Sequence, residues 1–498
     1  MTDTTPSPRL PQELIDSIIL DASEDKPTLE AFQYVSKACL HTARSHIFAK
    51  RTLRLQRSYS FDDFGEDLKE HLHLAEYITD LHVTSTLTWF NGGYRKLTSL
   101  GPHGDSEEGN ANASGGEPPV LSTHIIPDSL FDLLPRLRAL SVSKVWVVLP
   151  AEAQRASVKT ADGPHDDTYN AEPSKKVHLN SLKFRNVTLW EPVDYTLSHL
   201  LDRFKPAELA LEGINRGSWE SAYPAHNNTL LPPSPIVYPI YLTLDATMMR
   251  RSYMEILQRL TSPERLRNLK LTDVGNEDDV PGLGTYLAAA RNTLVEMYVY
   301  IWGIKYEGVD PWPRLHLPSF TSLHAVTVKI PIIGSSTTKM GYIWKAFFDF
   351  LRYLPTQSLR TFQLILEPDC SFLGGIKGVL GRIPQSVKTE LDPLFERLLP
   401  TLEQCEFVWT YQVGGVRLKS IDEPYNARQY ISDICGLVPS LNYTGVLRTK
   451  MVAVPAPEIP HWNDSDWSDS ADDNCRASSD DSWGDSSDDS WGDSSDNS

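Results

Sequence analysis

The strongest constraint on this 498-residue chain is a strand pattern, Leu-x-x-Leu-x-Leu, that returns along most of its length with polar side chains between the apolar ones. Its cores are Leu137/Leu140/Val142, Leu179/Leu182/Phe184, Leu209/Leu211, Leu242/Leu244, Leu266/Leu269/Leu271, Leu294/Met297/Val299, Leu323/Val326/Val328, Leu359/Phe362/Leu364 and Leu402/Cys405/Phe407. Successive cores lie roughly 27 to 43 residues apart, a range in which one supersecondary unit repeats. A chain built this way must bury each unit's apolar face against its neighbours.

Apolar runs at helical spacing precede most of these cores, around Tyr195–Phe204, Tyr253–Leu260, Leu283–Ala290, Ile343–Tyr353, Val387–Leu399 and Tyr430–Leu437. Helix alternating with strand suits either a doubly wound sheet or a repeat array. The residues between the apolar positions decide. Lys183 and Arg185 flank Phe184, Glu208 and Glu212 bracket Leu209/Leu211, and Lys270 and Thr272 alternate with Leu269 and Leu271. Strands buried on both faces would read as unbroken apolar runs. One polar face predicts an α/β chain whose residues 53–454 form an irregular leucine-rich-repeat-like solenoid with an open sheet. The strand Met297–Trp302 stands apart, because Tyr298, Tyr300 and Trp302 fall on the face opposite Met297, Val299 and Ile301. An exposed aromatic row resembles the anchors that dominate protein interfaces, so these three are candidate target-binding residues. Cover by the insertion Trp302–Pro318 is the alternative.

Ahead of the repeats, residues 10–20 read Leu-Pro-Gln-Glu-Leu-Ile-Asp-Ser-Ile-Ile-Leu. Leu10, Leu14, Ile15, Ile18 and Ile19 are spaced as on an amphipathic helix, and Pro11 suits its first turn, where a missing N–H costs nothing. Asp25 reads as the N-cap of a second helix with Pro27 just inside, followed by Leu29, Phe32, Val35 and Cys39 at helical spacing. A third run through Leu40, Ala43, Ile47 and Phe48 leads into Leu53 and Leu55, a first short strand.

This succession, Leu-Pro-x-Glu-Leu-Ile, a gap, Leu29 ahead of Val35-Ser36-Lys37, then a helix ending in Ile47-Phe48, resembles an F-box. The resemblance covers residues 9–52. Phe32-Gln33-Tyr34 stands where a leucine-rich stretch is usual, and the third helix lacks the usual tryptophan. What the resemblance implies is a three-helix segment that docks on the Skp-type adaptor of an SCF ubiquitin ligase, and through it on a cullin. Leu10, Pro11, Leu14, Ile15, Ile18 and Val35 would make the adaptor contact. Such a receptor carries no catalytic residue and no cofactor, and its solenoid holds an unknown protein substrate. The competing reading makes these helices an apolar cap on the sheet's end, with the chain acting as a scaffold through its solenoid and acidic tail.

Charge sharpens the partner class. Asn463–Ser498 holds twelve Asp against one Arg, and the rest of the chain carries −7 of the net −18. Without a basic footprint, nucleic acid is excluded as a partner. Met1–Arg9 is polar with two prolines, unlike a signal or transit peptide, and no apolar run approaches the roughly 18 to 20 residues of a membrane span. Cys39, Cys370, Cys405, Cys435 and Cys475 are scattered and odd in number, which suits a reducing compartment, cytoplasm or nucleus.

No G-x-x-x-x-G-K-S/T, H-E-x-x-H, G-x-S-x-G or C-x-x-C motif occurs. Gly374, Gly375, Gly378 and Gly381 are spaced as a turn, and His71 and His73, two apart, suit an exposed strand face better than a metal pair. Residues 1–8, the insertions 101–119 and 151–176, and the tail 455–498 are polar enough to predict disorder. In the tail Asp-Asp-Ser-Trp-Gly-Asp-Ser-Ser occurs at 480–487 and again at 488–495. Ser470, Ser478, Ser482, Ser486 and Ser490 each precede an acidic residue by three, the spacing of acidophilic-kinase sites. Trp462, Trp467, Trp483 and Trp491, set in acid, resemble segments that dock on basic partners.

Overall fold

The computed structural model describes residues 10–56, 59–85, 128–147, 177–189, 193–216, 235–249, 251–274, 280–302, 312–332, 337–368, 383, 385–413, 432–433 and 435–455. The insertions 101–119 and 151–176, the four glycines 374–381, the phosphorylation candidates Ser470, Ser478, Ser482, Ser486 and Ser490, and the tail beyond Pro455 lie outside them. No helix among the described residues is long and apolar enough to cross a membrane.

Three helices open the chain: α1 (Gln12–Asp21), α2 (Lys26–Val35) and α3 (Lys37–Ala49). Pro11 stands one place earlier than its expected position in the first turn, as the N-cap of α1. Asp25 caps α2 as expected, its carboxylate accepting from the Thr28 hydroxyl at 2.6 Å, with Pro27 in the first turn. Ser36 caps α3 through the Cys39 N–H at 3.2 Å. The Asp25 and Ser36 side chains each satisfy a backbone donor that the helix start would otherwise leave bare, whereas Pro11 makes no side-chain cap bond.

The strands that follow are β1 (Lys50–Leu55), β2 (Asp80–Ser85), β3 (Ala139–Ser143), β4 (Trp146–Val147), β5 (Val177–Arg185), β6 (Thr188–Leu189), β7 (Phe204–Glu212), β8 (Asn215–Arg216), β9 (Tyr241–Asp245), β10 (Asn268–Val274), β11 (Glu296–Ile301), β12 (Ala325–Ile332), β13 (Thr361–Pro368), β14 (Gln404–Val413) and β15 (Leu447–Pro455). Twelve of them form one parallel sheet in the order β1-β2-β3-β5-β7-β9-β10-β11-β12-β13-β14-β15. Each strand therefore pairs only with the one before and the one after it in that series. The three shortest form a second parallel sheet, β4-β6-β8.

Register turns the leucine pattern into a continuous core. Leu81, Leu140, Leu182, Leu209, Leu242, Leu269, Met297, Val326, Phe362 and Cys405 stand side by side across ten strands, and every one is buried. A parallel row runs from Val83 to Phe407 through Val142, Phe184, Leu211, Leu244, Leu271, Val299, Val328 and Leu364. Burying one such side chain is worth about 1.5–3 kcal/mol, so the two rows give the sheet its cohesion. Helices close the apolar face. Val193–Arg203, Arg251–Leu260, Val280–Leu287, Thr337–Arg352 and Gln385–Leu398 all lie near their predicted places. Phe204, predicted at a helix end, begins β7 instead. An aromatic series, Phe347, Phe362, Phe395 and Phe407, threads helix and sheet with ring centroids 5.4–6.4 Å apart.

The insertion after Trp302 does more than cover a surface. Trp312 is fully buried, its indole N–H donates to the Ala346 carbonyl at 3.0 Å, and its ring meets Phe350 at 4.9 Å. Trp312, Leu315, Leu317 and Phe320 are thus part of the helix-side core. His71 and His73 lie at the junction of two helices, Phe61–Glu70 and Leu72–Ala75, and not on a strand, because Ser60 and Asp63 form a capping box that commits the segment to helix. Both histidines are exposed.

A turn with one repeated conformation links the two sheets. Lys144, Asn186 and Gly213 each follow a strand of the large sheet and each has positive φ, 55°, 51° and 64°. The Lys144 N–H donates to the Arg185 carbonyl at 3.0 Å and the Asn186 N–H to the Glu212 carbonyl at 2.8 Å. At the next step the Gly213 N–H finds the Asp245 carboxylate, which also accepts from the Met248 N–H at 3.1 Å. Burial holds the Asp245 carboxyl above its usual range despite these donors. A Cβ on Gly213 would come within 2.3 Å of the Asn186 side-chain oxygen. Replacing Gly213 with Ala therefore adds a clash to an unfavourable φ, and urea denaturation should show a loss of at least about 1 kcal/mol.

Candidate protein-interaction surfaces

The N-terminal helices enclose a small core of their own. Ile19, Leu29 and Cys39 are buried, with Ile15, Ala22, Phe32 and Ile47 packed around them. Polar contacts lock α1 on α3. The Gln12 amide donates to Asp16 at 2.7 Å and to the Ala38 carbonyl at 3.3 Å, and the Thr42 hydroxyl donates to Asp16 at 2.6 Å. The Thr42 bond, more than any other contact, holds the Asp16 carboxyl below its usual range. The join to the sheet is polar too: His41 meets the Tyr77 hydroxyl at 2.9 Å, and the Thr79 N–H donates to the Ala49 carbonyl at 2.9 Å.

What this small core leaves outside is unusual. Leu10, Leu14, Ile18 and Val35 are 61%, 51%, 47% and 67% exposed, and Pro11 is exposed beside them. Leu14 and Ile18, four residues apart, share one face of α1, and Leu10 precedes the helix beside its N-cap Pro11. Of the six residues nominated for an adaptor, Ile15 alone turns inward, half-buried against the small core. Two further exposed apolar residues, Leu20 and Tyr34, were not singled out by sequence. The signal was present for Leu20, since α1 carries more apolar residues than one face can bury, whereas Tyr34 lies on α2.

The second surface is the polar face of the large sheet. Tyr298 and Tyr300 are half-buried and Trp302 is 40% exposed, all opposite the buried Met297, Val299 and Ile301. The two tyrosines are neighbours of lysines on adjacent strands. The Lys270 ammonium sits 5.3 Å from the Tyr298 ring centre, and the Lys329 ammonium 5.2 Å from that of Tyr300. Tyr300 and Trp302 lie 6.2 Å apart, tilted 35°. Lys329 also pairs with Glu367 at 2.7 Å. Cation–aromatic contacts of this kind fix the ring orientation and add roughly 0.5–1 kcal/mol at exposed sites. The lysines escaped the sequence reading because their partnership depends on strand register.

The same face carries polar ladders elsewhere. Lys183 pairs with Glu208 at 2.8 Å and Arg185 with Glu212 at 2.7 Å. The Gln363 amide donates to Glu406 and the Asn268 amide to Glu296, each at 2.5 Å. Among the described residues no cluster of His, Cys, Asp and Glu has the arrangement to hold a metal. Cys39 and Cys405 are buried and Cys435 is half-buried, all free thiols. Searches against protein-family models and curated proteins find no match to the chain.

Burial and the nearby Glu367 carboxylate together push the Tyr298 hydroxyl up to about 12. An acid whose ionisation is delayed by folding loses its proton earlier in the unfolded chain, so this group lowers stability only as pH rises above about 10. At pH 11 the phenolate absorbance of the wild type and of Tyr298→Phe should therefore be nearly equal. A one-tyrosine difference already present at pH 10.5 would show that Tyr298 ionises as a free phenol does.

Proposed function

We propose that the chain is a non-catalytic substrate-receptor subunit of an SCF-type ubiquitin ligase. In this reading the first three helices are an F-box that docks on the Skp-type adaptor. The twelve-stranded sheet and its helices are an irregular leucine-rich-repeat solenoid that holds a protein target. The observation that carries the reading is the division of apolar residues in the N-terminal segment. Ile19, Leu29 and Cys39 suffice to hold the three helices together, while Leu10, Leu14, Ile18 and Val35 remain in solvent. Exposed apolar side chains at helical spacing gain by meeting a partner's groove, as helices laid into grooves generally do. The position also fits, because these residues lie at the β1 end of the sheet, leaving the polar face from β2 to β15 free for a second protein. That face offers Tyr298, Tyr300 and Trp302 as rigid anchors of the type that concentrates binding energy. A receptor of this sort acts by holding its target near the transfer machinery, which requires proximity and no reactive group of its own.

Substituting Leu14→Asp and Ile18→Asp together should leave the fold intact, since both side chains are largely solvent-exposed. Each still exposes about half of its surface, so burying both against the adaptor is worth about 1.5–3 kcal/mol, or roughly tenfold to two-hundredfold in affinity. Calorimetric titration of the purified chain with the adaptor measures this directly. A folded wild type that fails to bind the adaptor would leave the helices as a cap on the sheet and the scaffold reading in its place.

A further inference from the structure

The polar face of the sheet has an order along it that the target-binding reading does not use. One register row runs Lys270, Tyr298, Thr327, Gln363, Glu406, Arg448, and the next runs Tyr300, Lys329, Ile365, Val408, Lys450. Lys270 and Arg448 stand at the two ends of the first row, and Lys329 and Lys450 lie in the second, with Tyr298, Tyr300, Ile365 and Val408 among the residues between them. Lys270, Arg448 and Lys450 are exposed. On the same band Glu367 pairs with Lys329, while Glu406 and Glu296 keep their charge and accept from the neutral Gln363 and Asn268 amides. The band lies at the end of the sheet from which the chain departs, because β15 is the last strand and ends at Pro455.

What departs there is the acidic, tryptophan-bearing segment. Residues 463–498 hold twelve Asp and one Arg, with Trp467, Trp483 and Trp491 among them and Trp462 just before. We propose that residues 456–498 dock on the band between β10 and β15 of the same molecule, aspartates against Lys270, Lys329, Arg448 and Lys450, tryptophans beside Tyr300, Trp302 and Ile365. Reach is ample. With strands about 4.8 Å apart, β12 lies about 14 Å from β15 and β10 about 24 Å away. An unstructured chain of the length of residues 456–498 has a root-mean-square span of about 35 Å. Tethering raises the local concentration of the segment to the millimolar range, so weak individual contacts suffice for occupancy. The inference rests on the geometry of the face and not on the ubiquitin reading. If both hold, the segment competes with the target for Tyr298, Tyr300 and Trp302.

Carbodiimide coupling of the full-length protein tests the docking, since it joins carboxylates to amines only where they touch. The test uses an equal mixture of ¹⁵N-labelled and unlabelled chains, with peptides read by mass spectrometry. The Lys183–Glu208 pair, 2.8 Å apart, is the internal control. The expected result is links from aspartates beyond residue 463 to Lys270, Lys329 or Lys450, confined to peptides of one label. They should fall at least fivefold in 1 M salt, where the screening length drops to about 3 Å, and at least threefold at Lys329 in a Lys270→Gln, Lys450→Gln variant. Three outcomes overturn the proposal: tail links absent while the control forms, tail links directed mainly to Lys50, Lys69 or Lys388, or links joining the two labels, which would make a second copy the acceptor.

Discussion

The parallel pairing of each strand with its sequence neighbour is the interaction on which everything else in this protein rests. It stacks Leu on Leu and Val on Val along two rows of the large sheet, so apolar burial and the strand-to-strand hydrogen bonds run in the same direction and reinforce each other. Because both rows face the helices, the alternate positions are free to be polar. The lysine–tyrosine contacts and ion pairs of the opposite face exist because the core does not need those positions.

The α/β class, and the division of the strands into one apolar and one polar face, were legible in the sequence from the period-2 alternation anchored by leucine. Every nominated strand core is buried and its last two positions lie in a strand, while the leading Leu137, Leu266, Leu294, Leu323, Leu359 and Leu402 fall two residues ahead of theirs. In the large sheet two strands went unread, as did the three two-residue strands β4, β6 and β8. β2 reads Asp-Leu-His-Val-Thr-Ser, with Ile78 where the leading leucine would stand, and β15 places Thr449 in the inner row and charges on the outer one. β15 is an edge strand, which needs less apolar surface than a central one, so its pattern weakens; β2 is paired on both sides, and its recognisable core is only Leu81 and Val83. Trp312 was misread for the opposite reason. Its neighbours Pro311 and Pro313 resemble loop chemistry, and only the three-dimensional neighbour Ala346 accounts for the indole.

The interaction surfaces were legible as composition and not as geometry. On α1 the apolar residues Leu14, Ile15, Ile18, Ile19 and Leu20 cover too wide an arc for periodicity to decide which go inside. The structure decides it by supplying α2 and α3 on one side only, which buries Ile19 and leaves Leu14 and Ile18 in solvent. Nor does sequence separation announce that Lys270 belongs with Tyr298 or Lys329 with Tyr300. Those pairs are consequences of register, which the stacked core sets from the other face.

The strictly sequential strand order has a mechanical consequence. In a doubly wound sheet the first strands lie in the middle, and pulling on the chain ends must break several strand pairs together. Here a load between the ends of the sheet meets its units one after another, like links in a chain. The units fail singly, the terminal ones first, having a neighbour on one side only. Such a molecule lengthens in steps under tension, and each unit still folded keeps its own stretch of polar surface in register.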